Sequence, residues 1–261
     1  MSPAVLKTII IISTVFYTAA LILWCVKKQK LSLGVWLAAA LCSLVTVINN
    51  FVVNHGVPFV SMYQILTFSA VMFSVVYLYV RVFRQGDWTA PYFIGCSLVV
   101  SMGLCFMDAQ AVWHFPPALH SPWFLPHILL YVISYIMAAA SFLMMLSKYC
   151  VKKEARHEAL PRINGGIYDC VCVLFPCMTM GMFFGALWAN EVWGGFWSWD
   201  IKEIWALVTW LIWLCWLHFR RSGNLRRYSD ILIAVGFICV IITFFFVRIM
   251  EPSGTSMHTY S

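Results

Sequence analysis

Residues 125–147 read LPHILLYVISYIMAAASFLMMLS, and they decide the fold class because they contain no aspartate, glutamate, lysine or arginine. A helix of this length rises about 34 Å, which is enough to cross the roughly 30 Å hydrocarbon core of a bilayer. A helix that is so uniformly apolar has no face suited to water. The stretch therefore predicts a transmembrane helix.

The rest of the chain has the same apolar character. Of its 261 residues, 62% are hydrophobic and 10% are charged, whereas soluble domains have about 45–50% and about 25%. The sequence therefore excludes water-soluble enzymes, disordered tails and secreted disulfide scaffolds. It predicts an all-α polytopic membrane protein that forms one membrane domain over residues 1–261. Windows of about 19 residues give eight candidate spans: 4–26, 31–53, 60–82, 91–108, 125–147, 167–189, 202–219 and 230–247.

The basic residues indicate how these spans are oriented. Fourteen of the 17 lysines and arginines fall in four loops between predicted spans, at residues 27–30, 81–84, 148–162 and 220–227. Because loops rich in lysine and arginine stay in the cytoplasm, both termini are predicted to lie on the outer side, together with residues 190–201. Membrane orientation also accounts for the net charge of +7, so no nucleic-acid partner is predicted.

Tryptophan is concentrated in one part of the chain, since eight of the thirteen lie between Trp188 and Trp216. The densest part, residues 193–200, reads WGGFWSWD and falls in the predicted outer segment 190–201. An interfacial aromatic belt would account for one or two tryptophans at headgroup level. The two glycines additionally let the backbone approach a flat ligand closely. We therefore interpret this tryptophan segment as a platform for a planar aromatic or porphyrin ligand.

Asp200, the last residue of that stretch, has two interpretations. With Glu203 it forms a D-x-x-E pattern directly before the apolar run 204–217. This pattern is typical of a helix N-cap with a reciprocal capping box. The alternative is a direct contact between the Asp200 carboxylate and the ligand.

The tryptophan segment resembles the WWD signature of haem-handling membrane proteins. The chain is most similar to the CcsA (ResC) family of system II cytochrome c biogenesis, strongly over residues 185–221 and more weakly over most of its length. The resemblance implies that haem b is bound by the residues of this segment, namely Trp193, Gly194, Gly195, Trp197, Trp199 and Asp200.

The expected function follows from this resemblance. The resemblance implies a cytochrome c haem lyase that exports haem, presents it at the outer face and enables thioether attachment to the Cys-x-x-Cys-His motif of an apocytochrome c. It also implies a ResB/CcsB-type membrane partner. Two alternatives stay open, namely a CcmC-like haem exporter without ligation activity and a transporter of another aromatic solute. The absence of an apparent transit peptide favours a bacterial cytoplasmic membrane.

Two histidines on the predicted outer side match the family pattern for ligands of the haem iron. His127 follows a Pro-Trp pair, as does the family's first external histidine, and His258 lies in residues 257–260 (MHTY), which are similar to the segment bearing the second. His120 is the alternative to His127. His55 and His114 also lie on the predicted outer side, but they match no family motif.

A second, inner haem site is predicted at His218. His218 lies eighteen residues after Asp200, which is about 27 Å along one helix, so it cannot share an iron with an outer ligand. One interpretation is an interfacial histidine favoured by the helix dipole. The resemblance implies instead an axial ligand where haem enters, with Arg220 or Arg221 available to a propionate and the partner supplying the other ligand.

Overall fold

The computed structural model describes residues 1–54, 57, 59–109 and 117–246. In this part of the chain there is no strand, and eight helical segments are long and apolar enough to span a membrane. The prediction of an all-α protein with eight spans is confirmed. The helices are α1 Pro3–Cys25, α2 Gln29–Asn54, α3 Met62–Arg84, α4 Ala90–Cys105, α5 Phe124–Cys150, α6 Arg156–Trp193, α7 Ile201–Arg221 and α8 Ser229–Ile241, which continues as a π-helical segment, Ile242–Phe246.

The sixth helix is much longer than predicted. We expected a span at 167–189 after a loop reaching Arg162, but α6 begins at Arg156 and has 38 residues. At 1.5 Å per residue it is about 57 Å long, well beyond the hydrocarbon thickness. The predicted loop was wrong over most of its length, because α6 includes residues 156–162. Within this stretch, Glu158, Ala159 and Leu160 favour helix.

The chain divides into two compact units, Met1–Pro117 and Ala118–Ser261. The first contains α1 to α4, and its core includes Tyr17, Trp36 and Phe93. The second contains α5 to α8. Its core includes Met137, Leu174, Trp213 and Trp216. The single membrane domain over residues 1–261 stays a prediction.

The second unit carries every predicted site residue in the described part of the chain. The Ser121 hydroxyl donates to the Glu191 carboxylate at 2.6 Å, so the residues before α5 meet the end of α6. At the other end, the Lys148 ammonium pairs with Asp230 at 2.6 Å, which joins the end of α5 to the start of α8. We call these the His127 end and the His218 end of the unit.

Candidate functional site

His127 lies in the first turn of α5 and packs against bare backbone of α6. A Cβ atom built on Gly185 would lie 2.6 Å from His127 Nδ1, and one built on Gly181 would lie 2.9 Å from Tyr131 Cδ2. Both distances are shorter than real contacts allow, so only glycine leaves room for the two rings. We call Gly181 and Gly185 the glycine slot. Such small residues one turn apart allow close approach of transmembrane helices.

The slot also fixes the protonation of the imidazole. His127 Nδ1 lies 2.8 Å from the Gly181 carbonyl oxygen. A carbonyl only accepts hydrogen bonds, so Nδ1 carries the proton, and in a neutral ring Nε2 then keeps its lone pair. Histidines that bind metals usually donate their other N–H in this way. This is the tautomer in which an imidazole can bind a metal ion through Nε2.

Trp188 connects His127 to the tryptophan segment. Its ring centroid lies 5.7 Å from that of His127 and 4.9 Å from that of Trp193. It is 4% exposed, and its N–H donates to the Ala118 carbonyl at 2.8 Å. Trp188 is absent from the site predicted from the sequence, although it lies three residues after Gly185 on the same face of α6.

The tryptophan segment joins α6 to α7, and two of its residues have the left-handed backbone conformation. Gly194 has φ of 77° and ends α6, with its N–H bonded to the Asn190 carbonyl at 3.0 Å. Trp199 has φ of 61°, which is unusual for a bulky residue and is found mostly where the surroundings enforce it. Gly194 therefore has a conformational reason to be glycine. A Cβ on Gly195 would meet no atom of the described residues within 4 Å.

Trp197 and Trp199 form a separate aromatic pair. Their ring centroids are 5.7 Å apart and their planes are nearly perpendicular. Trp199 is 66% exposed, so its face is available for stacking. The Trp197 N–H is buried and has no hydrogen-bond acceptor within the described ranges. A polar group of a bound ligand would satisfy it.

Asp200 acts as the N-cap of α7. Its Oδ1 accepts from the Glu203 backbone N–H at 2.7 Å, which confirms the N-cap half of the capping box that the D-x-x-E pattern predicts. The Glu203 carboxylate accepts from the backbone N–H of Ser198 at 2.8 Å and from its hydroxyl at 3.2 Å. These bonds fix the end of the tryptophan segment to α7. A contact of Asp200 with haem stays a prediction.

His218 lies at the opposite end of α7 from the tryptophan segment. The helix is continuous from Ile201 to Arg221, so the 27 Å separation expected from helix geometry applies to the folded chain. His218 and Arg221 are both exposed, and residues three apart share one face of a helix.

Arg220 lies on the other face of α7. Its guanidinium donates to the Asn164 carbonyl at 3.0 Å and packs over the rings of Tyr168 and Trp216, at 5.4 and 5.6 Å from their centroids. Arg220 and Arg221 are equivalent candidates in the prediction from sequence. The structure distinguishes them, because Arg220 is directed towards α6 and away from His218.

The other candidate iron ligands of the predicted outer side lie before α5 or outside the described residues. His120 is exposed in a 3-10 turn before α5. The predicted iron ligand His258 lies outside the described residues, as do His55 and His114. The structure thus brings together His127 and Trp193 through Trp188, whereas His218 lies at the far end of the unit.

Known proteins resemble this chain over most of its length. Residues 59–253 match the family described as "Cytochrome C assembly protein". The chain is 23% identical over 259 residues to "Cytochrome c biogenesis protein CcsA" of Solanum bulbocastanum, which covers 84% of the chain and 82% of that protein. Proteins of the same name from Mesostigma viride and Chlamydomonas reinhardtii are 26% and 31% identical, over 79% and 78% of the chain and 78% and 60% of their own lengths. The chain therefore belongs to the cytochrome c assembly protein family, and within it to the CcsA proteins of cytochrome c biogenesis.

Proposed function

We propose that this chain carries haem across the membrane and presents it for attachment to apocytochrome c, as the membrane subunit of a cytochrome c synthase. The observation that carries the proposal is His127 in the glycine slot, with Nδ1 held by the Gly181 carbonyl. Family membership supports haem as the cargo, and an imidazole fixed in this tautomer suits its iron.

The outer haem site comprises His127 and the tryptophan segment. In this proposal His127 and His258 bind one iron from opposite faces. Trp193, Trp197 and Trp199 line the porphyrin plane, which approaches the backbone at Gly194 and Gly195. Asp200 positions the segment by capping α7. Because stacking is shared among several rings, loss of one tryptophan should weaken haem retention less than loss of a histidine.

The attachment chemistry requires positioning more than it requires a reactive side chain from this protein. A cysteine thiol of the apocytochrome adds across a haem vinyl group, so that sulfur bonds to one vinyl carbon and the thiol proton goes to the other. No electrons are gained or lost in that addition. The chain's contribution is to hold the haem edge in a fixed orientation, and a ResB/CcsB-type partner completes the lyase.

Covalent haem on an apocytochrome tests this function. The chain is co-expressed with a ResB/CcsB-type subunit and an apocytochrome c containing Cys-x-x-Cys-His, and covalent haem is measured on the denatured product. Thioether-linked haem that requires this chain is the expected result. Outer accumulation of haem without thioether product would support a CcmC-like exporter instead, and a chain that purifies without haem would exclude both functions.

The orientation of the chain in its membrane is part of the proposal. We infer a bacterial cytoplasmic membrane with the His127 end facing outwards, although the relatives compared above come from plants and algae. Reporters that are active only outside the cytoplasm should work when fused after Asn190 or at the C-terminus. Activity after Arg156 or Gly223 would place the tryptophan segment on the wrong side.

The proposed inner site lies at the His218 end. His218 binds haem as it enters, and Arg221, on the same face of α7, is better placed than Arg220 to bind a propionate. The second iron ligand comes from the partner subunit. Haem then reaches the outer site only after passing His218.

Replacing His218 with alanine should lower the haem content of the whole complex at least about tenfold, including the outer site, because an iron ligand at the entry point is lost. Haem is measured per purified complex by absorption. His258→Ala should leave the inner site occupied. The matched control is His157→Ala, which replaces an exposed histidine at the start of α6 and should have no effect. Normal haem content in His218→Ala would remove the inner site from the mechanism.

A further inference from the structure

A basic cavity lies at the His218 end of the second unit. It has a volume of about 310 Å³ and lies between the end of α5, the start of α6, the end of α7 and the start of α8. Most of its polar lining is cationic. The charged residues that line it are Lys148, Arg156, Arg220, Arg226, Arg227 and Asp230.

These side chains leave a strong excess of positive charge. Lys148 and Asp230 form a partly buried ion pair at 2.6 Å, with side chains 11% and 27% exposed, so their charges offset each other. The four arginines are the remaining charged lining residues. Arg220 is held in place by the Asn164 carbonyl and by the ring of Tyr168. Like charges around one cavity repel, and a bound anion would reduce that repulsion.

The chemistry of the lining selects the kind of anion. Guanidinium groups bind phosphate oxygens in pairs, with a geometry that matches their fork of N–H donors. The cavity lies where membrane-spanning helices end, since α5 ends at Cys150 and α7 at Arg221, and the ends of such helices would lie near lipid headgroups. Tyr149 and Leu160 add apolar surface to the same lining, which suits the glycerol and upper acyl region of a lipid.

From these observations we propose that the cavity binds the phosphate headgroup of an anionic phospholipid. Basic cavities between transmembrane helices are suited to such headgroups. The site is separate from the proposed haem path, because Arg220 points to the opposite face of α7 from His218. The described lining residues include no histidine to bind an iron. The proposal therefore does not depend on the haem function.

Lipid titration of the purified chain tests the proposal. The full-length chain is delipidated in detergent and titrated with phosphatidylglycerol, phosphatidylcholine or inorganic phosphate at matched ionic strength. Bound lipid is counted by native mass spectrometry and Tm is measured. Phosphatidylglycerol should be retained and should raise Tm. Arg226→Gln/Arg227→Gln should bind it about 30-fold more weakly, as expected for two cations near a membrane surface.

The controls separate the specific site from general attraction to charge. Lys28→Gln/Lys30→Gln removes two exposed cations, one before α2 and one in its first turn, and should bind phosphatidylglycerol as the wild type does. If the double arginine variant fails to fold, Arg156→Gln should show about fivefold weaker binding. Wild-type affinity in the folded arginine variants would overturn the proposal. So would a Tm increase produced in full by inorganic phosphate, which would assign the cavity to a soluble anion.

Discussion

Replacing His127 with alanine is expected to reduce covalent haem attachment to a co-expressed apocytochrome c at least about 100-fold. Loss of a group that merely orients a metal ligand costs about 10–100-fold in metal affinity, and loss of the ligand itself should cost no less. The variant removes both the lone pair at Nε2 and the ring that occupies the glycine slot. Covalent haem on the denatured apocytochrome, normalised to the amount of inserted protein, is the measurement.

His120→Ala is the matched control for that experiment. His120 lies seven residues earlier, exposed in its 3-10 turn, and its loss should leave attachment unchanged. Imidazole added to the growth medium should partly restore His127→Ala, because the vacated space at Gly185 can admit a free ring. Full attachment by His127→Ala, or loss in His120→Ala alone, would assign the iron to another ligand.

Replacing Gly185 with alanine is expected to weaken haem binding strongly, though less than removal of the histidine does. The new methyl group would lie 2.6 Å from His127 Nδ1 and 2.7 Å from Cε1, so the ring must move, and that movement should distort its bond to the Gly181 carbonyl. Because that bond orients the ligand, haem affinity should fall about 10–100-fold. The absorption spectrum of any haem that remains should also change, since the axial ligand is displaced. Haem content and the spectrum of the purified protein check both effects.

Gly165→Ala provides the comparison within the same helix. A Cβ there meets no atom of the described part of the chain within 4 Å, so this substitution tests the general effect of losing a glycine from α6. We expect unchanged haem content and an unchanged spectrum. A Gly185→Ala protein that melts normally and retains haem with the wild-type spectrum would contradict the role of the glycine slot. Equal losses in both variants would point to α6 stability instead.

The membrane architecture could be predicted because its signal is long and repeated. Each span is an apolar run of about 20 residues, and runs such as 125–147 have no charge to interrupt them. The start of α6 could not be found in this way. Residues 156–162 carry several charges, which predict exposure to water but do not distinguish a loop from an exposed helix, and here the chain stays helical.

The candidate site was only partly visible in the sequence. The resemblance identified His127 and the tryptophans, and the D-x-x-E pattern identified the cap at Asp200. The tautomer of His127 and the bridging position of Trp188 depend on how closely α5 approaches α6, which no single segment encodes. A signal was nevertheless present, because Gly181 and Gly185 have the small-xxx-small spacing of close helix pairs.

The continuity of α7 has a consequence for how this protein can vary. From Ile201 to Arg221 the helix contains no proline or glycine, so it has none of the residues at which transmembrane helices usually bend. Inserting or deleting one residue between Asp200 and His218 would shift one end by about 1.5 Å and turn it about 100° relative to the other. Such a change would redirect His218 and Arg221 together, while Arg220 would lose its contact with the Asn164 carbonyl. Changes in the length of α7 are therefore incompatible with the architecture, because the continuous helix holds the tryptophan segment and His218 at a fixed separation.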